Sequence, residues 1–121
     1  MSLLERKIRV HEAILLIHPC ATLWYLCWAV DEPKTGYVAL TEQQWQLLGV
    51  SQSTIYRWLE QGRELGFFHW YRWGKDIPLE IGMGGRNKVC KFNKIRNWGA
   101  VTDELSIGDL LKKADAVLHQ R

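Results

Sequence analysis

The sequence predicts an α+β fold, mostly α, on three observations. From Thr41 to Leu65 two amphipathic segments of helical spacing meet at Gly49. After Gly66 the aromatic run FFHWYRW, a turn-rich stretch and the run NKVCKFNKI read as a β-hairpin. Both ends of the chain carry apolar stripes at i, i+3 and i+4, the pattern of helices that pack on a core. The chain has 121 residues, 47% of them hydrophobic and 24% charged, which suits one globular domain and excludes disorder. Seven tryptophans imply a well-packed core or an aromatic surface that expects a partner.

Taken in order, Leu3 to about Ile17 places Leu4, Ile8, His11 and Leu15 on one side and Glu5, Arg6, Arg9 and Glu12 on the other, as an amphipathic helix does. Charges spread through it, and the lack of a small-residue cleavage site, set it apart from a secretory signal. Ala13 to Val30 holds no Asp, Glu, Lys or Arg. Its length touches the lower limit for a membrane span. His18 and Pro19 interrupt it, and proline favours the first turn of a new helix, so a second, mostly buried helix is expected from Pro19 to about Val30 rather than a span. Asp31 to Gly36 is a turn-rich loop, and Tyr37, Val38 and Leu40 suit a short strand. These first segments, residues 1–30, make the N-terminal helices, the second of them part of the core.

Residues 31–96 hold the central motif. Thr41 and Gln44 have the spacing of a capping box, and Trp45 and Leu48 supply an apolar stripe. Gly49 suits a left-handed helix end, and Ser51 caps the second helix. In that helix Ile55, Trp58, Leu59, Gly62, Leu65 and Gly66 share a face, while Gln52, Ser53, Tyr56 and Arg57 fall on the other side near its N-terminus. An apolar back and a hydrogen-bonding front suit a helix that rests on a core and reaches into a DNA major groove. In the hairpin the loop is expected to exceed two residues, with Gly74 to Gly85 holding turn residues and a second possible short strand, IPLEI, and with Asn87 to Ile95 returning. Finally, in residues 97–121, Ser106 and Asp109 can cap a helix through about His119. Its stripe is Leu110, Leu111, Ala114, Val117 and Leu118, and it serves docking or dimerisation.

The run LLGVSQSTIYRWLEQGRELGFF resembles the helix-turn-helix of bacterial winged-helix regulators, where G-V-S-x-x-T-I/V-x-R-x-L leads through x-L-G into the wing. The resemblance covers Thr41 to Ile95 and identifies no single family. It implies a winged helix-turn-helix with additional N- and C-terminal helices. Ser53, Thr54, Tyr56 and Arg57 then face the major groove, Ser51 and Gln52 lie near phosphate, and Arg57 is the best reader of guanine. Arg86, Lys88 and Lys91 anchor the wing. Glu60 and Glu64 extend the same face and tilt that end away from phosphates. Thr54 as a cap and Tyr56 as a packing residue against the wing are the structural alternatives.

Charge supports this reading. The net charge of the chain is +3, but Ser51 to Arg96 alone holds nine basic and four acidic residues. A surplus of +5 therefore sits where a phosphate footprint belongs. An enzyme is not expected: His11, His18, His69 and His119 are scattered, and no serine or cysteine has a recognisable activating partner. Cys20, Cys27 and Cys90 show no C-x-x-C spacing, which favours a reducing cytoplasm over disulfides and gives no metal site. Gly82, Gly84 and Gly85 beside Arg86 lack the succeeding helix and Lys-Ser/Thr of a nucleotide-binding loop. The expected function is sequence-specific binding of double-stranded DNA by a cytoplasmic homodimeric transcription regulator without cofactor. A replication-initiation or mobile-element protein and a winged-helix interaction module are the alternatives. Operator and effector are not legible, and nothing near Arg121 marks a natural end.

Overall fold

Where a first helix was expected, the chain forms a strand. In the computed structural model, which describes residues 2–10, 18–31, 35–83 and 103–118, Leu3–Glu5 is a single 3-10 turn and Lys7–Val10 is strand β1. Lys7 to Val10 alternate charged and β-branched residues, a period of two that a short segment can satisfy as well as a helical stripe. The partner settles the choice. Asp103–Ser106, strand β5, pairs antiparallel with β1 in the register Ile8 to Leu105 and Arg9 to Glu104. The continuation of the expected helix, residues 11–17, lies outside the described residues.

Helix α1 is Ala21–Val30, begun after Pro19 as expected. Eight of its ten residues are buried, on every side of the helix. That accounts for the uncharged run, because a helix apolar all round belongs in the interior. Among the described residues no helix is long and apolar enough to cross a membrane. Around α1 pack Ile107 and Leu110 from helix α4 (Ile107–Leu118), Ile55 and Leu59 from helix α3 (Gln52–Leu65), and Val38 and Leu40 from strand β2 (Tyr37–Leu40). Each such side chain contributes about 1.5–3 kcal/mol on burial. Arg6 ties the terminal sheet to this centre, donating from Nη1 to the Ala29 carbonyl at 2.6 Å. Asp31, just past α1, is buried and accepts from Thr35 N, Thr35 Oγ1 and Gly36 N at 2.9–3.0 Å, which closes the loop to β2.

In the second sheet, strands β3 (Phe68–Gly74) and β4 (Ile77–Met83) are joined through Lys75 and Asp76 alone. With β2 they give the order β2–β4–β3, all antiparallel. Asp76 takes the left-handed φ of 61°, which aspartate tolerates better than most residues. The long hairpin loop expected from the sequence is thus corrected. The run taken as a possible extra strand, IPLEI, is the returning strand itself, and it sits in the centre of the sheet. Asn87 to Ile95 lie outside the described residues.

Helix α4 is capped as expected, with Ser106 Oγ accepting from Asp109 N at 3.2 Å. Its residues Ile107, Leu110 and Ala114 are buried, the first two in the central cluster. The fold is therefore a mixed α+β arrangement of four α-helices and two small antiparallel sheets among the described residues. The expected mostly helical winged helix-turn-helix with added N- and C-terminal helices does not describe it. The overturning element is the β1–β5 pair, which joins the two ends of the chain, Lys7 to Ser106 and Val10 to Asp103. Local periodicity carries no record of such a contact.

Candidate nucleic-acid interface

Thr41 to Leu65 builds the candidate site from local rules. Thr41 Oγ1 accepts from Gln44 N at 3.2 Å while Gln44 Oε1 accepts from Thr41 N at 2.9 Å, a complete capping box for helix α2 (Glu42–Gln46). Gly49 comes next with φ +67°, a conformation that strains a side chain. Ser51 Oγ accepts from Thr54 N at 3.2 Å and opens α3. At the far end Gly66, at φ +85°, ends the helix, with Phe67 N donating to the Gly62 carbonyl at 2.8 Å. Ile55, Trp58, Leu59 and Gly62 form the buried back of α3.

The front of α3 carries most of the residues expected to bind DNA. Ser51, Gln52, Ser53 and Arg57 are exposed, and Thr54 is half-buried. Three of them form a chain along the helix. Arg57 Nη2 donates to Thr54 Oγ1 at 3.1 Å, and the Ser51 and Thr54 hydroxyls lie 3.1 Å apart. Thr54 thus orients Arg57, a role that its reading as a groove contact or a cap does not contain. The i, i+3 spacing of Ser51, Thr54 and Arg57 is the signal that shows it.

Tyr56 stacks on Trp73 of β3, with ring centroids 4.6 Å apart and planes at 29°. Trp73 in turn meets Trp45 of α2 edge-on at 5.3 Å. Tyr56 keeps 40% of its surface exposed, but its ring is committed to the hairpin. Lys75, two residues beyond Trp73 in the hairpin turn, is exposed. Sequence reasoning placed no role on Lys75. Its signal is the G-K-D run between two strand-like stretches. The expected wing residues Arg86, Lys88 and Lys91 lie outside the described residues.

Glu60 is not the free negative charge expected from its position. Tyr71 donates a hydrogen bond to Glu60 Oε1, and Arg63 pairs with Oε2 at 2.8 Å. The Tyr71 hydroxyl, and then Arg63, hold the Glu60 carboxyl below the ordinary carboxylate range, while the same bond raises the Tyr71 phenol. Glu64 is exposed.

Among the described residues no cluster of three or more His, Cys, Asp or Glu could hold a metal ion. Cys20 and Cys27 are buried free thiols. No family model matches this chain, and neither a characterised protein nor a solved structure matches it.

Proposed function

We propose that this chain binds double-stranded DNA sequence-specifically through the front of α3, as a transcription regulator in the cytoplasm. The observation that carries the reading is the polar front itself. Ser51, Gln52, Ser53 and Arg57 stand exposed at the capped N-terminal half of a helix whose opposite face is buried. Free N–H groups and the positive helix end at Ser51 and Gln52 suit a phosphate. Arg57, one and a half turns in, has the fork geometry that reads guanine O6 and N7. Lys75 supplies a second, sequence-independent phosphate contact from the hairpin. The resemblance of Leu47 to Phe68 to bacterial regulators supports the reading from sequence alone.

The test starts by selecting bound sequences from random DNA. Arg57→Ala then costs about 1–3 kcal/mol on the selected duplex and relaxes the preference at one base position. Lys75→Ala weakens selected and scrambled duplexes alike and lowers the salt slope by about one. Equal losses on both duplexes for Arg57→Ala remove it from base reading. No salt-sensitive binding to any duplex rejects the function.

A further inference from the structure

Strand β3 meets helix α3 at three points, and their order is opposite on the two elements. Gly62 lies against the Phe68 ring, Glu60 accepts from the Tyr71 hydroxyl, and Tyr56 stacks on Trp73. The strand therefore runs back along the helix, from its C-terminal end toward its N-terminal half. Two slips in the β3–β4 ladder make this possible. Phe68 pairs with Met83 and Trp70 with Gly82, so β3 has one residue extra there and Tyr71 comes onto the face of Phe68. Arg72 then turns to the other face, where it pairs with Glu80, which also accepts from Tyr37. Beyond it Gly74 pairs with Ile77, so around Trp73 the extra residue belongs to β4. A bulge re-aims the side chains beside it. At both places the strand follows the helix at the expense of its ladder.

At the last of the three points Trp73 is held by two helices. Tyr56 of α3 stacks on it at 4.6 Å, and Trp45 of α2, itself buried, meets it at 5.3 Å and 70°. Tyr56 directly precedes Arg57 in α3. Lys75 follows Trp73 by two residues, so its backbone is tied within about 7 Å of that of Trp73. The stack thus joins the stretch of helix that carries Arg57 to the turn that carries Lys75.

We propose that Trp73 is a positioning residue for duplex binding. Pinned between Tyr56 and Trp45, it holds the hairpin turn at a fixed place along α3, so that Lys75 and Arg57 engage one duplex together. The inference rests on the function proposed above and adds to it a residue that acts without touching DNA. A contact fixed in place beforehand loses little freedom when the duplex binds, whereas a loose hairpin must first be ordered.

Salt titrations of duplex binding by the full chain test it. Lys75→Ala lowers the parent's salt slope by about one, the signature of a lost phosphate contact. Trp73→Ala leaves Lys75 in place, yet it lowers the slope by a similar amount. Trp73→Phe keeps a ring between Tyr56 and Trp45 and restores the parent's slope. In the Trp73→Ala background, Lys75→Ala removes nothing further. The base preference read by Arg57 survives these changes, because Thr54 holds Arg57 within the helix. A ring with only a structural role would lower the melting temperature and leave the salt slope unchanged. Should Trp73→Ala fail to fold, Tyr56→Ala takes its place, since Tyr56 is the exposed member of the stack, with Tyr56→Phe as its rescue. A parent-like slope in the folded ring variant, no change of slope for Lys75→Ala, or a full further loss in the double variant overturns the inference, while duplex binding through Arg57 stands. A parent that binds no duplex removes the function proposed above and this inference with it.

Discussion

Gly62 of α3 and Phe68 of β3 approach more closely than any side chain at position 62 permits. A β-carbon there would lie 2.4 Å from Phe68 Cε2 and 2.5 Å from Cδ2. Phe68 is 1% exposed, so its ring has nowhere to retreat. Glycine inside a helix ordinarily costs about 1 kcal/mol relative to alanine. Here that cost lets the helix lie directly on the first residue of strand β3.

Gly62→Ala is therefore expected to destabilise the chain despite its better helix propensity. The overpacking cost of about 1–3 kcal/mol outweighs the propensity gain of about 1 kcal/mol. Urea unfolding measures the balance. A midpoint equal to or above the parent's would mean that α3 does not rest on Phe68. Gly82→Ala makes the comparison sharper, because the ring it meets, Trp70, is exposed and can swing away. It should cost less than Gly62→Ala.

These contacts show which parts of the fold were legible in the sequence. The capping box at Thr41 and Gln44, the Ser51 cap, the turn at Gly49 and the buried positions Ile55, Trp58, Leu59 and Gly62 of α3 all stem from local spacing rules. Each is present. Strand β1 was not legible, since Ile8 reads as a helical stripe or as an alternating strand until β5 is known to lie beside it. The hairpin was misjudged at one point. Gly74 to Gly85 contains enough turn-forming residues to look like a loop, yet Ile81 and Gly82 pair with both neighbouring strands there, Leu79 pairs with β2, and all three are buried. At the candidate site, the exposed polar front of α3 was legible as a pattern. The stacking of Tyr56 on Trp73 was open as an alternative, because it depends on where a distant strand docks.

The hydrogen bond from Arg57 to Thr54 makes a prediction about specificity. Thr54→Val keeps shape and removes the hydroxyl that holds the guanidinium. On the selected duplex it should lose part of what Arg57→Ala loses, and on scrambled DNA nothing. Thr54→Ser should restore the parent's ratio. Loss of affinity on both duplexes alike would assign Thr54 to the helix cap and not to Arg57.

Stability should fall on both sides of a central pH window through the Tyr71–Glu60 contact. The Glu60 carboxyl is held low, first by Tyr71 and then by Arg63. Its contribution is present above the unfolded value of about 4.3 and is lost as pH falls through the lower folded value. The Tyr71 phenol is raised by the same bond. Its contribution is present below about pH 10 and is lost as pH rises through the higher folded value. Melting curves across this range should show both flanks shallower than the parent's in Glu60→Gln and in Tyr71→Phe, because each variant removes one member of the pair that shifts the other. The Tyr37–Glu80 bond leaves a residual slope in either variant, because it titrates in the same two directions. Identical profiles for parent and Tyr71→Phe would detach this side of the hairpin from α3.

The two described cysteines test the placement of α1. Burial pushes the Cys20 thiol up to about 12, and it pushes Cys27 higher still, with the negative charge of Asp31 adding to the effect. The thiolate is the reactive form. At pH 8 a thiol of this kind is ionised roughly once in ten thousand molecules, against about one in four for a free cysteine. Cys20 and Cys27 are also 1% and 0% exposed, so a reagent must wait for the helix to open. In a Cys90→Ser variant, which removes the third thiol, an aromatic disulfide reagent at pH 8 should label neither cysteine in the folded chain. Both should be labelled within the mixing time once urea unfolds it. The labelling rate between these limits should track the urea dependence of unfolding, because Cys27 lies within α1, Cys20 sits at its N-cap, and both belong to the buried core. Rapid labelling of Cys20 without denaturant would show that the first turn of α1 stands open to solvent, and the contact of Trp24 in that turn with Phe67, ring centroids 4.9 Å apart, would have to be redrawn with it.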